Sequence, residues 1–243
     1  MSLTAQNKEF IPSGVFHWSE LPVKKSAERE GRRFMEGSST HLDYLEMHAT
    51  TQIKGAMPSP PHTQTDIEEI IIVKEGTMKF FMNNDTAVLG AGSVILIPPL
   101  SSQALQNVGD GPLTYYVIMY RSNKPLNTQR GLTDPRVFYD RAGLQRTETS
   151  KGSTIKYFDK ATASCERLEM HISNLKEKGP SHAQHTHIDT EVILVTEGKV
   201  AVEIKGIRYE GVAGDLFLIN SNEVHGVENN SDQPCEYFAF KWK

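Results

Sequence analysis

Three histidines and one glutamate in the second half of the chain have the types and the spacing to hold a metal ion. In the segment GPSHAQHTHIDTEVILVTEG, His185 and His187 stand two apart and Glu191 follows four residues later. Side chains two apart on an extended segment share a face, so both imidazoles point the same way and Glu191 rejoins them after a short bend. His225, which opens a later strand in VHGVENN, supplies a fourth donor where a closed barrel lays that strand beside the first. Imidazole nitrogens with a carboxylate oxygen suit Mn, Fe, Co, Ni, Cu or Zn, and the absence of a thiolate points away from a purely structural zinc. The expected cofactor is therefore one divalent transition metal. A lone histidine in a strand is ordinarily a packing or surface residue; these four are set apart by falling on a complete two-part spacing. His182, just ahead of them, is expected at the rim or in solvent, with a substrate contact as the alternative.

The elements that position these residues come from a duplication at an offset of 122 to 123 residues. Leu45-Glu46-Met47-His48 returns as Leu168-Glu169-Met170-His171, Glu75-Gly76 as Glu197-Gly198, Gly92 as Gly214, Asn107 as Asn229, and Val15-Phe16 as Val137-Phe138. A fixed-period repeat of this length means two copies of one structural unit. The expected division is a first barrel over 1–125, a connector and start of the second unit over 126–145, and a second barrel over 146–243. In the first copy the ligand positions read His62, Gln64, Glu69 and Gln103, with Glu69 one residue later than its counterpart. An amide oxygen is a weak neutral ligand beside an imidazole, so this copy is expected to be degenerate and kept for architecture. A mixed site for Mn or a small polar ligand is the alternative.

The repeat also weighs other residues. Glu169 and His171 could act near the metal, yet Glu46 and His48 repeat them where the metal ligands are gone, which favours a structural role. Phe238, Phe240 and Trp242 alternate along the last strand, with Tyr116 and Tyr120 at two matching positions, as core or interface aromatics rather than pocket walls. Cys165 and Cys235 are too few for a disulfide scaffold and read as structural thiols.

Within each copy, short apolar runs are punctuated by Gly, Pro, Asn and Asp, without a long helical period. EEIIIVKEG and EVILVTEG are apolar at nearly every position, which predicts strands covered on both faces, one looking into a barrel and the other packed on the sister unit. The fold class is all-β, with two small barrels side by side. A formal charge of -4 and no dense Lys/Arg stripe disfavour nucleic acid as a partner, and no apolar run is long enough for a membrane span. MSLTAQNKEF lacks the features of a secretory signal, which favours the cytoplasm, or the periplasm if a native signal has been replaced. Neither a nucleophile elbow nor a phosphate-binding glycine loop is present.

The spacing from Gly179 through His185, His187 and Glu191 to Gly198 resembles the first cupin motif. Gly214 through Asn220 and Asn222 to His225 and Asn229 resembles the second, with Asn220 and Asn222 standing where the family has Pro and Gly. Asn tolerates the left-handed backbone that Gly supplies, so the departures leave the ligand set intact. The resemblance implies tandem cupin (double-stranded β-helix, jelly-roll) barrels, and a metal held by three histidines and one glutamate with two adjacent positions open. It implies a metal-dependent enzyme acting on a small polar, carboxylated or carbohydrate-like metabolite: a dioxygenase, isomerase, decarboxylase or hydrolase, its acid/base residue unassigned. A non-catalytic small-molecule-binding or regulatory cupin is the alternative. The chain is similar to the bicupin ureidoglycine aminohydrolases in keeping its ligands in the C-terminal barrel, but that family replaces one histidine by glutamine. Bicupin oxalate decarboxylases resemble a two-metal pattern that the first half does not match. The expected partner is a small molecule, with a homodimer as the expected assembly.

Overall fold

The computed structural model describes residues 8–243; the first seven residues, part of the MSLTAQNKEF stretch, lie outside the described residues. Strands dominate, and the helical pieces among the described residues are the short turns Trp18–Glu20, Arg130–Thr133 and Arg141–Gly143. None is long and apolar enough to cross a membrane.

Each unit folds a seven-stranded sheet against a four-stranded one. In the first, Glu68–Glu75 lies between Val94–Ile97 and Leu113–Ser122, and Leu113–Ser122 continues to Leu42–Gln52 and Arg29–Gly37. In the second, Thr190–Glu197 lies between Leu216–Ile219 and Cys235–Trp242, which continues to Leu168–Leu175 and Gly152–Lys160. The smaller sheets carry the motif segments, with His62–Thr63 against Ser102–Asn107 and Gly179–Pro180 against His225–Asn229. The all-β tandem-barrel expectation holds.

The repeats exchange their first strands. Gly14–Phe16 pairs with Leu216–Ile219 of the second sheet, and Phe138–Tyr139 pairs with Val94–Ile97 of the first. The Val15-Phe16 and Val137-Phe138 repeat is thus real, but each copy of it serves the other barrel.

The apolar runs work as two-faced strands because successive side chains alternate across a sheet. Ile71 and Val73 join Phe80 and Val117 inside the first barrel, and Ile193 and Val195 join Val202 and Phe217 inside the second. The intervening Ile70, Ile72, Val192 and Leu194 meet Tyr116, Tyr120, Phe238, Phe240 and Trp242 in a third cluster between the units. The alternating aromatics are therefore core residues, each worth about 1.5–3 kcal/mol of burial. Cys165 and Cys235 are buried free thiols.

The repeated Glu-Gly pair closes a hairpin tightly. Gly76 and Gly198 have φ of +87° and +73°, and a Cβ on either would stand 2.4 Å from the carbonyl oxygen of Pro112 or Pro234. Only glycine tolerates both conditions.

Candidate metal centre

His185 and His225 come together through backbone. Each donates its N–H to the other's carbonyl at 3.0 Å, which fixes the loop carrying His185 and His187 beside the strand opened by His225. Asn222 N donates to His187 O at 2.8 Å, and Asn222 holds φ +63°, the left-handed turn expected of it. Asn220 acts differently, using its amide on Ile11 O and Ser13 Oγ.

One ring-nitrogen ligand atom from each of His185, His187 and His225 lies within 4.8 Å of the others. Glu191 closes the group, its Oε2 2.9 Å from His187 Nε2 and 3.2 Å from His225 Nε2. Two ligand atoms each roughly 2.1 Å from one ion, at tetrahedral or octahedral angles, are themselves about 3.0 to 3.4 Å apart. The Glu191 contacts match an edge of such a polyhedron.

The hydrogen bonds define what these side chains offer a cation. A backbone carbonyl only accepts, so His187 Nδ1, 3.0 Å from Asp189 O, and His225 Nδ1, 2.8 Å from Glu223 O, carry their rings' protons. In the neutral rings both Nε2 lone pairs then face a carboxylate oxygen, three acceptors turned on one point. His225 is 1% exposed and its Nε2 is buried without a hydrogen-bond partner. Without a metal a proton can take the cation's place: burial alone would raise the Glu191 pKa, but His187 and His225, donating through Nε2 when protonated, outweigh it and hold the carboxyl well below its ordinary range. The same contact with Glu191 raises His187, whereas burial, and then the neighbouring histidines, lower His185. A divalent ion satisfies all the acceptors at once, and the donor set suits one.

His185 and Glu191 also line a cavity of about 450 Å³. Its walls are rich in hydroxyl and amine groups, including Ser173, Ser181, Tyr237 and Lys241. Ser181 Oγ is buried without a partner. Lys241 stands directly across the strand pair from Glu191, with Nζ 3.4 Å from Glu169 Oε2. Sequence reasoning missed Lys241, although the repeat contained the signal: its counterpart across from Glu69 is Met119.

His182 is exposed, lines the cavity and sits edge-on to His185 with ring centroids 4.5 Å apart. His171 lines the cavity too, its Nδ1 3.3 Å from Glu169 Oε1, and the copied pair His48 and Glu46 is 3.2 Å apart.

The first barrel assembles the counterparts differently. Gln103 and His62 are backbone partners, as His225 and His185 are. Gln103 Nε2 donates to Glu69 Oε1 at 2.8 Å, both side chains are buried, and His62 is exposed. Burial raises the Glu69 pKa, only partly opposed by the Gln103 amide.

A cupin-domain family model matches residues 50–119 and 171–241. Similar solved structures include AerE from Microcystis aeruginosa, at 12% identity and TM-score 0.73, covering 95% of this chain and 99% of that one. Protein Ylba from E. coli aligns at 14% identity and TM-score 0.72, over 99% and 96% of the two chains. Lactobacillus farciminis oxalate decarboxylase, in a formate complex, aligns at 12% and 0.74, over 96% and 86%. Likeness at these identities establishes fold alone. A comparison with curated proteins finds no match.

Proposed function

The chain belongs to the cupin family, with a cupin domain in each half, and from that premise we propose that it is a metal-dependent enzyme acting on a small polar metabolite in the C-terminal barrel. The observation that carries this reading is the convergence of two imidazole Nε2 atoms on the Glu191 carboxylate, each ring anchored through Nδ1 on a backbone carbonyl, at the wall of a hydroxyl- and amine-lined cavity. His185, His187, Glu191 and His225 would hold one divalent transition ion. Bound there, such an ion supplies Lewis-acid polarisation and lowers the pKa of a coordinated group.

The chain's own residues do the rest. The carbonyls of Asp189 and Glu223 fix two ring tautomers, so the metal-facing nitrogens are presented without rearrangement. Lys241, across the strand pair from Glu191 and with Nζ 3.4 Å from Glu169, adds an ammonium to the same cavity, which favours a substrate with an anionic end. Ser173, Ser181 and Tyr237 line the cavity where hydroxyl or carboxyl oxygens of a small acid or sugar-like compound would need donors. The polar walls favour such a metabolite over a hydrocarbon.

Metal analysis tests the centre directly. Protein purified without chelators is expected to carry close to one equivalent of transition metal, and a His185→Ala/His187→Ala variant less than about a tenth of that. Wild-type protein with no metal, unable to take up Mn, Fe, Ni or Zn, would sink the reading. Oxygen uptake and turnover of small hydroxy and keto acids, followed with metal present, then separate catalysis from binding. Stabilisation by such a compound without turnover would leave a binding protein.

A further inference from the structure

The core between the two units is closed differently at its two ends. At one end the chain before Gly14 lies along the end of the Arg29–Gly37 strand: Ile11 N donates to Ser38 O, and Ser38 N donates to Glu9 O. Asn220 holds the Ile11 carbonyl, and the Ile11 side chain sits in the inter-unit core. Gly37 makes room for this, since a Cβ there would lie 2.4 Å from Glu9 O and 2.6 Å from Ile11 Cγ1. At the other end the same strand position is Lys160, for Gly37 pairs with Leu45 as Lys160 pairs with Leu168. Pro98 takes the place of Asn220, and the connector is tied instead by Arg130 to Thr162 O and Ala163 O. A cavity of about 330 Å³ is left there, walled by Leu96, Pro98, Pro99, Leu132, Val137 and Ala161.

The charged groups at its edge are already hydrogen-bonded to protein. Glu68 accepts from Thr162 Oγ1, Ala163 N and Ser164 N at 2.7, 3.0 and 3.1 Å. Lys160 Nζ donates to Asp134 O and Arg136 O at 3.0 and 2.6 Å, with the Asp134 carboxylate 3.8 Å away. Prolines bring no backbone N–H, so the walls offer few free donors. The rim carries two exposed leucines, Leu100 and Leu132, at 61% and 65% exposure. Leu100 holds φ +68°, the left-handed position that Asn222 fills in the sister unit, and leucine adopts it only under strain.

We infer that this cavity is a binding site, separate from the metal centre, for a small uncharged molecule with a compact branched-aliphatic or single-ring aromatic body. Its volume is at the lower end of the roughly 300–1,000 Å³ of small-molecule sites. The sister position shows the shape filled by an isoleucine side chain. A charged ligand is disfavoured because Glu68 and Lys160 already use their hydrogen-bonding capacity on protein groups and the walls around them are largely apolar.

Calorimetric titration of the full chain with benzyl alcohol, phenylacetate and benzylamine, three molecules of one body and different charge, tests this. Benzyl alcohol is expected to bind with a Kd below about 1 mM and the two charged probes at least tenfold more weakly. Ala161→Trp, which fills the cavity, and Leu132→Lys, an exposed rim substitution that leaves the core untouched, should each weaken benzyl alcohol at least tenfold. Binding that neither variant alters, equal binding of all three probes, or no binding of benzyl alcohol overturns the inference. So does a wild-type dimer in sedimentation that Leu132→Lys dissociates without probe binding, which would assign the patch to a second copy of the chain.

Discussion

The two barrels carry the same carboxylate at the same strand position and give it opposite surroundings. Glu191 meets two imidazole Nε2 atoms, whose hydrogen bonding and charge when protonated hold its pKa down; Glu69 meets the donating amide of Gln103, and burial raises its pKa. An amide beside a buried carboxylate satisfies it with a hydrogen bond, whereas imidazoles tied through Nδ1 to a carbonyl leave a place for a cation, a proton or a metal ion, between Nε2 and the carboxylate. The difference takes no change of fold. Glutamine puts an amide donor where an imidazole stands in the other barrel, and the backbone pairing of Gln103 with His62 matches that of His225 with His185.

The largest effect that could break this comparison is on metal affinity. Glu191→Gln is expected to weaken binding at least about a hundredfold, while Glu69→Gln changes it less than about threefold, read by competition with a chromophoric chelator. Equal losses from both would put the metal somewhere other than the second barrel. The converse substitution sharpens the contrast. Gln64→His/Gln103→His should raise the metal content from near one to near two equivalents per chain, measured on protein dialysed against excess Mn or Ni and freed of unbound ion. A content that stays near one would show that the extra residue before Glu69, not the glutamines, closed the first site.

A second difference between the barrels is structural. Glu68 accepts three hydrogen bonds from the turn at Thr162–Ser164 of the other unit, whereas its counterpart Thr190 has a buried hydroxyl with no partner. Glu68→Ala strands three buried donors and should lower the unfolding free energy by about 3 kcal/mol, whereas Thr190→Val should change it by less than about 0.5 kcal/mol. Urea denaturation of the metal-free protein measures both. A smaller loss at Glu68 would mean that the turn repacks without its acceptor.

Much of this was legible in the sequence because duplication supplies its own control. The offset between copies located the strands, the alternation in EEIIIVKEG and EVILVTEG assigned their faces, the candidate quartet stood out by its own spacing, and Gln64 and Gln103 set the first copy apart from it. The strand exchange was not legible. Val15-Phe16 and Val137-Phe138 are too short for pattern to tell which sheet they join, and tertiary pairing alone decides it. Lys241 was missed for a related reason: its place beside Glu191 depends on a cross-strand register. The cavity beside Lys160 was hidden for another, since it follows from the path of a connector whose composition says only that it is polar.

The smallest expected effect concerns the feature the barrels share. Glu46 is held near a pKa of about 2, chiefly by hydrogen bonding to His48, and Glu169 likewise by His171. Each carboxyl therefore sits below its ordinary value of 4.5, so its stabilisation is complete above that value and is lost as pH falls toward about 2. Both side chains are partly exposed, and solvent screening keeps the contribution modest. In the presence of a chelator, Glu46→Gln and Glu169→Gln should each flatten the fall in melting temperature between pH 4.5 and 2, and by similar amounts. Similar effects would identify the Glu-His pair as part of the repeated scaffold, its work the same with or without a metal site next to it. An effect confined to Glu169 would separate the two pairs and move His171 from the scaffold into the chemistry of the cavity it lines.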